Sequence, residues 1–428
     1  MTAADRFERD LPMDLENLAG PHTPEYLTDI LSRTANTRQR PAWTFPERWL
    51  PMADIASRPA FAPRLPVRRI AVALIVIALL IAGVVFVGSR QTRLPPPFGP
   101  AANGLITYAK DGDIFTVDPL TGVATAITTG PETDIDPEFS LDGTRILFAR
   151  QRGSVNAYDI LVANADGSGA RVVTSDPLTT DDRAHLTSDG SAVIATRQDR
   201  IQRIDVTAGG PTKDIAIGRW TDGTIRATDD KILFENDETP GIDLWVMRAD
   251  GSDKRLLWDP HLDGNYADLA EYRWSPDGSR IAYTCSDPET HLGSNVCVMN
   301  ADGSDRHQLT HEGVDWREAG LQWSPDGQSL AFRRAQQAPG STGYLNRPIG
   351  MVRLAGGPIV EVGPTPAVET DFAFSPDGRS FLTLPLVISS HVGASGVKPT
   401  EIDVVGGRVH TMPFDVASWP SWQRAALD

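Results

Sequence analysis

From Gly104 onward the chain runs in short stretches where apolar and polar residues alternate, each closed by a tetrad containing Asp and Gly. Period-two runs between turn signals predict half-buried β-strands joined in hairpins. The runs are copies of one unit: PEFSLDGTRILFAR from Pro137, YRWSPDGSRIAYTC from Tyr272, LQWSPDGQSLAFRR from Leu321 and FAFSPDGRSFLTL from Phe372. A worn copy, HLTSDGSAVIATR from His185, keeps the turn and the alternation. In each, an aromatic or apolar residue ends one strand and a Ser-Pro-Asp-Gly-like turn follows. Pro presets φ, Gly takes a positive φ, and the next strand begins.

A second hairpin recurs after each first one: NADGSGARVVT at Asn164, RADGSDKRLLW at Arg248 and NADGSDRHQLT at Asn300, with variants at Asp118, Val206, Arg353 and Val404. Two hairpins make four antiparallel strands. Unit starts near 134, 181, 219, 268, 315, 369 and 415 give a mean period of about 47 residues, the length of a propeller blade. The expectation is an all-β, seven-bladed β-propeller over residues 104–428. The fourth copy, WTDGTIRATDDKILFEN from Trp220, is weak enough that six or eight blades also fit. The first unit lacks its opening strand, and DVASWPSWQ from Asp415 matches DIDPEFS at Asp134. The C-terminus is therefore expected to complete the first blade and remove the open strand edges.

The pattern Asp-x-x-Pro-x-aromatic-Ser-Pro-Asp-Gly, an apolar strand and an Ala-Asp-Gly-Ser hairpin resembles the TolB-like, WD-like propeller repeats of bacterial envelope proteins. The resemblance covers roughly residues 104–424. It implies the propeller fold and a place in the cell envelope, whereas function has to be argued from the site.

Ahead of the repeats, residues 70–88, IAVALIVIALLIAGVVFVG, carry no charge and as a helix span about 28 Å, enough for a bilayer core. No polar stripe marks them as a globular helix, so they are expected to be a transmembrane anchor. Residues 1–69 hold 10 basic and 9 acidic residues, and residues 89–428 hold 30 and 47. Arg58, Arg64, Arg68 and Arg69 precede the span and only Arg90 and Arg93 follow it closely, which places the N-terminus in the cytoplasm and the propeller outside. Residues 89–103 form a Pro-rich linker. Within 1–69, Asp10 caps one short helix ending at Gly20, and Thr23-Pro24-Glu25 opens another bearing Leu27, Ile30 and Leu31. This layout resembles single-pass anti-sigma regulators, which implies an arm that binds a sigma factor or another cytoplasmic regulator; no cysteine precedes the span to supply their zinc ligands.

The net charge of -16 excludes a general nucleic-acid binder. No Gly-x-Ser-x-Gly elbow occurs, and His307 and His311, four apart, flank a strand end and a turn. No cofactor, metal site or catalysis is expected on these grounds, and a propeller enzyme ranks behind a module that binds a protein or ligand and behind the signalling arm. Asp134, Asp136, Asp181, Asp182, Asp268, Asp315, Glu369, Asp371 and Asp415 all precede the aromatic-Ser strand of a unit, so symmetry sets them at one level of the ring. There they either cap turns and pair with arginines of neighbouring blades, or form an acidic channel rim for a cation or basic peptide. Cys285 and Cys297, the two cysteines, flank one hairpin loop and are either disulfide-bonded or two buried thiols.

Overall fold

The computed structural model describes residues 94–427 other than 97, 154–156, 175–177, 180–182, 198, 208–211, 219–224, 237–242, 260–270, 287–291 and 386–395. The chain divides into two compact units, Met1–Arg90 and Gln91–Asp428. The expected arm, its helices and the 70–88 span all lie outside the described residues. Among the described residues no helix is long and apolar enough to cross a membrane.

The second unit is a ring of seven antiparallel sheets. The first blade joins β1 (Ala102–Lys110), β2 (Asp113–Val117) and β3 (Ala124–Ala126) to the C-terminal β27 (Ser421–Ala425) in the order β27-β1-β2-β3. The second holds β4 (Asp134–Phe139), β5 (Arg145–Gln151), β6 (Tyr158–Asn164) and β7 (Arg171–Val172). The third holds β8 (Arg183–Leu186), β9 (Ala192–Arg197), β10 (Arg200–Asp205) and β11 (Thr212–Ile217). In the fourth, β12 (Lys231–Glu235), β13 (Leu244–Arg248) and β14 (Arg255–Trp258) are preceded by a single bridge, Ile225 to Ile232. The weak fourth copy is thus a blade whose first strand, among the described residues, has shrunk to one bridge.

The fifth blade holds β15 (Tyr272–Trp274), β16 (Arg280–Cys285), β17 (Asn295–Asn300) and β18 (His307–Gln308). The sixth holds β19 (Trp316–Trp323), β20 (Ser329–Gln337), β21 (Tyr344–Arg353), the longest described strand, and the short β22 (Val360–Val362). The seventh holds β23 (Thr370–Phe374), β24 (Ser380–Pro385), β25 (Thr400–Asp403) and β26 (Val409–Thr411). First strands of neighbouring blades touch one another, whereas outer strands such as β3 and β26 are exposed along their length. The first strands are therefore innermost.

The repeated turn works as its residues dictate. In all five described copies the Gly N–H donates to the carbonyl three residues back: Gly143 to Ser140, Gly190 to Thr187, Gly278 to Ser275, Gly327 to Ser324 and Gly378 to Ser375, at 2.8–2.9 Å. The Ser hydroxyl donates to the turn Asp, as from Ser275 to Asp277 at 2.6 Å. It also accepts the N–H that opens the next strand, as from Arg280 at 2.9 Å. Among the described residues seven apolar clusters hold the ring, each shared by two adjacent blades. Ile106, Tyr108 and Val117 meet Leu382, Leu384, Met412 and Phe414 between the first and seventh. Leu233, Leu244 and Val246 meet Tyr272, Trp274 and Ile281 between the fourth and fifth. Fully burying a side chain of this size contributes about 1.5–3 kcal/mol, so the ring is held through blade faces.

Candidate functional site at the inner strands

The first strands share a register that fixes where their polar side chains go. Counted back from the residue closing each strand (Phe139, Leu186, Trp274, Trp323, Phe374, Trp422), the preceding position is Glu138, His185, Arg273, Gln322, Ala373 or Ser421, all of intermediate burial. Both faces of a blade are covered by its neighbours, so these residues owe their exposure to the ring axis. Three positions back stand Asp136, Glu271, Gly320, Asp371 and Trp419. Here β4 and β19 bulge, with Asp136 at φ 51 and Gly320 at φ 66. The neighbouring first strand fastens each bulge. Asp136 and Phe139 donate their N–H groups to Ser418 Oγ and Ser421 Oγ, both at 3.1 Å. Gly320 and Leu321 donate theirs to Glu271 at 2.7 and 2.9 Å.

Five positions back, two carboxylates face a basic residue of the same blade. Asp134, 1% exposed, accepts from Arg150 Nε at 2.7 Å and Nη2 at 2.8 Å. Glu318 lies opposite Arg334 in the corresponding place. In the first blade Asp415 reaches Lys110 at 3.8 Å. The bulge turns Asp134 inward against its own second strand, so it meets Arg150 of its own blade and not an arginine of the next.

Of the remaining residues expected at the rim, Asp315 is exposed and its carbonyl accepts the Gln337 N–H at 2.7 Å. Asp371 is half-buried; loss of solvent pushes its carboxyl above the ordinary carboxylate range, against the pull of Arg333 and Arg273. Asp181, Asp182 and Asp268 lie outside the described residues. The structure draws Asp371 and Glu369 together with Glu271, Arg273 and Arg333, which spacing did not single out. Glu271 pairs with Arg273 Nε at 3.1 Å, Arg333 pairs with Glu369, and Arg333 Nε is buried without a hydrogen-bond partner. The result is a cluster of half-buried Glu271, Arg273, Arg333 and Asp371 with the exposed Glu369, drawn from the fifth, sixth and seventh blades. A raised carboxyl between guanidinium groups can take up a proton or exchange an internal partner for an external cation. The signal that could have found it is Gly320, because a glycine inside a strand pattern marks a bulge or a close approach. A Cβ there would run into Arg333 Nε. Among the described residues no group of three or more His, Cys, Asp and Glu could hold a metal ion.

Cys285 and Cys297 are disulfide-bonded with Cα atoms 5.9 Å apart, at the end of β16 and on β17. They sit diagonally, Cys297 opposite Tyr283 and Cys285 opposite Asn295. Both are buried in the cluster shared by the fourth and fifth blades.

Architecture and inner-strand geometry together define the class: a seven-bladed β-propeller closed by its C-terminal strand. No family model matches the chain, and no curated protein matches it. Among solved structures, a prolyl endopeptidase is similar at 12% identity over 77% of this chain and 50% of that one, with TM-score 0.52. An oligogalacturonate lyase from Vibrio parahaemolyticus is similar at 15% identity over 73% and 86%, with TM-score 0.50. TolB from Acinetobacter baumannii is similar at 13% identity over 77% and 68%, with TM-score 0.44. These matches correct the expectation that the chain lacks catalysis, which rested on the missing elbow and the histidine spacing. Propellers of this shape occur in enzymes, and a propeller can gather side chains at its inner strands without either motif.

Proposed function

We propose that the chain is a membrane-anchored protein of the cell envelope whose propeller stands outside the cytoplasm and binds a cationic ligand, a basic segment of a protein or peptide, at the inner-strand end that carries Asp136, Asp315 and Asp371. The observation that carries the reading is the three-blade cluster around Asp371. Glu271, Arg273, Arg333 and Asp371 are half-buried and Glu369 is exposed, so a ligand can reach charges that are already partly desolvated. The excess of acids beyond residue 89 favours a cation over an anion and would steer it inward. The compartment is supported by the Cys285–Cys297 disulfide, since such bonds form and persist where the medium is oxidising.

The test uses the full chain in detergent and a fluorescent lysine-rich peptide as probe. Asp136→Asn, Asp315→Asn and Asp371→Asn are combined, leaving the structural Asp134 in place. Binding by the parent should weaken steeply with salt, and the triple variant should lose about tenfold in affinity, equivalent to about 1.4 kcal/mol. Unchanged affinity in the variant, or no salt-dependent binding by the parent, refutes the proposal.

A further inference from the structure

The sixth blade contains a carboxylate that the proposed binding site does not use. Strand β19 reads WREAGLQW, and the register that points Asp134 at Arg150 points Glu318 at Arg334. Glu318 is 0% exposed. Its Oε2 accepts from the Thr310 hydroxyl, whose oxygen in turn accepts the Val296 N–H at 2.8 Å. Its Oε1 is buried without a hydrogen bond, as is Arg334 Nε, and these two atoms lie 3.7 Å apart, too far for a hydrogen bond.

Arg334 is drawn elsewhere. Its guanidinium reaches Glu361 at 2.9 Å and Glu312 at 3.2 Å and lies 4.2 Å from the Trp316 ring centroid. One buried guanidinium, 5% exposed as a side chain, therefore serves three carboxylates. The groups facing Glu318 are Thr310 and Glu312 from the crossover between the fifth and sixth blades, Arg334 from β20, and Glu361 from β22 through Arg334. Arg347 of β21 meets the same Trp316 ring at 5.7 Å. Strand β17 and the residue before it offer neutral groups only: the Val296 amide, Asn295, whose Oδ1 accepts the Glu312 N–H at 3.1 Å, and the Ser294 hydroxyl, which donates to the Glu318 carbonyl at 2.7 Å. His311 and Asp315 on the crossover are exposed.

We propose that Glu318 and Arg334 form a proton-operated latch between the fifth and sixth blades, which secures the Thr310–Trp316 crossover while Glu318 holds its proton and loosens it when the proton leaves. A neutral carboxyl suits a dry site whose only cation is shared. An ionised one adds a third negative charge around Arg334 and has one oxygen without a donor, which favours opening to water. Burial, with Glu312 adding to it, raises the Glu318 carboxyl from 4.5 to about 7. The folded chain therefore keeps the proton that the unfolded chain releases near 4.5. Stability supplied by this group is fully present below that pH, falls as pH rises, and is gone above about 7. The latch thus works across neutrality and is independent of the anchor and of the cationic ligand.

Hydrogen exchange measured by mass spectrometry on the full chain, corrected for intrinsic chemical exchange, reads the latch directly. Amides of residues 309–317 should open about tenfold more at about pH 8 than at about pH 5.5, while the crossover between the first and second blades, residues 127–133, stays level. Glu318→Gln should abolish the difference. Glu312→Gln, which removes a repelling carboxylate and leaves Arg334 freer for Glu318, should move the midpoint to lower pH, and it serves where Glu318→Gln fails to fold. Flat exchange in the parent, an undiminished pH response in Glu318→Gln, or an unmoved midpoint in Glu312→Gln overturns the proposal.

Discussion

Ring closure can be tested inside one molecule because the Ser-Pro-Asp-Gly turn recurs in different surroundings. Gly143 and Gly327 have nearly the same conformation, φ 69 and 67, and the same turn hydrogen bond at 2.8 Å. Replacing either by Ala forces a side chain into the left-handed region, at about 1–2 kcal/mol. Beyond that they differ. At Gly327 the nearest atom to a new Cβ is Pro276 Cδ at 3.7 Å, ordinary contact. At Gly143 the Cβ would press into the backbone carbonyl of Arg424, on the closing strand β27, well within 3.0 Å. Relief requires moving β27, which endangers the hydrogen bond from Gln423 Nε2 to the Gly143 carbonyl at 2.7 Å. It also endangers those from Arg424 Nη2 to the carbonyls of Pro96 and Gly99 at 3.0 and 2.9 Å. Overpacking costs about 1–3 kcal/mol and each lost hydrogen bond about 1. Gly143→Ala should therefore lose roughly 2–4 kcal/mol more than Gly327→Ala. In thermal unfolding of the full chain followed by circular dichroism, that is an extra drop in Tm of about 3–6 °C for a domain of this size. Equal losses within about 0.5 kcal/mol would mean that β27 is not held where the structure places it.

Two further substitutions separate structural acids from exposed ones. Asp134→Asn should cost about 3 kcal/mol in urea unfolding, because it leaves Arg150 without its bidentate partner; Asp415→Asn, whose pair with Lys110 is long and half-exposed, should cost about 0.5 kcal/mol or less. The Cys285→Ser, Cys297→Ser double variant, which opens a link between residues 12 apart, should lose about 2–3 kcal/mol, and intact-mass measurement with and without reductant should differ by two hydrogens in the parent only.

The blades were legible because their turns require particular residues. Gly143, Gly278, Gly327 and Gly378 take the positive φ that only glycine adopts without strain, so the hairpins could be read before the ring was seen. Closure was legible too, since the segment from Asp415 repeats the one from Asp134 and each aspartate finds a base on the following strand, although Asp415 stands seven residues before its closing aromatic and Asp134 five. The strand itself starts later than the match, at Ser421. The inner wall was harder to read. The bulges at Asp136 and Gly320 insert an extra residue before the closing aromatic, and simple alternation then assigns the upstream acids to the wrong face. Glu271, Arg273, Arg333 and Glu318 carry no spacing signature of their own. Their roles depend on which blade lies alongside. An acid five residues before the aromatic, set opposite a base on the next strand, is the pattern that Asp134 with Arg150 and Glu318 with Arg334 share, and it becomes visible only once the register is known.

A propeller outside the cytoplasm is what the proposed function requires above all. C-terminal fusions of the full chain to alkaline phosphatase, which is active only after export, and to green fluorescent protein, which fluoresces when it folds in the cytoplasm, test this directly. An active phosphatase and a dark fluorescent protein are the predicted outcome. An inactive phosphatase beside a bright fluorescent protein would put the propeller in the reducing cytoplasm, leave the Cys285–Cys297 bond without its compartment, and contradict the proposed function.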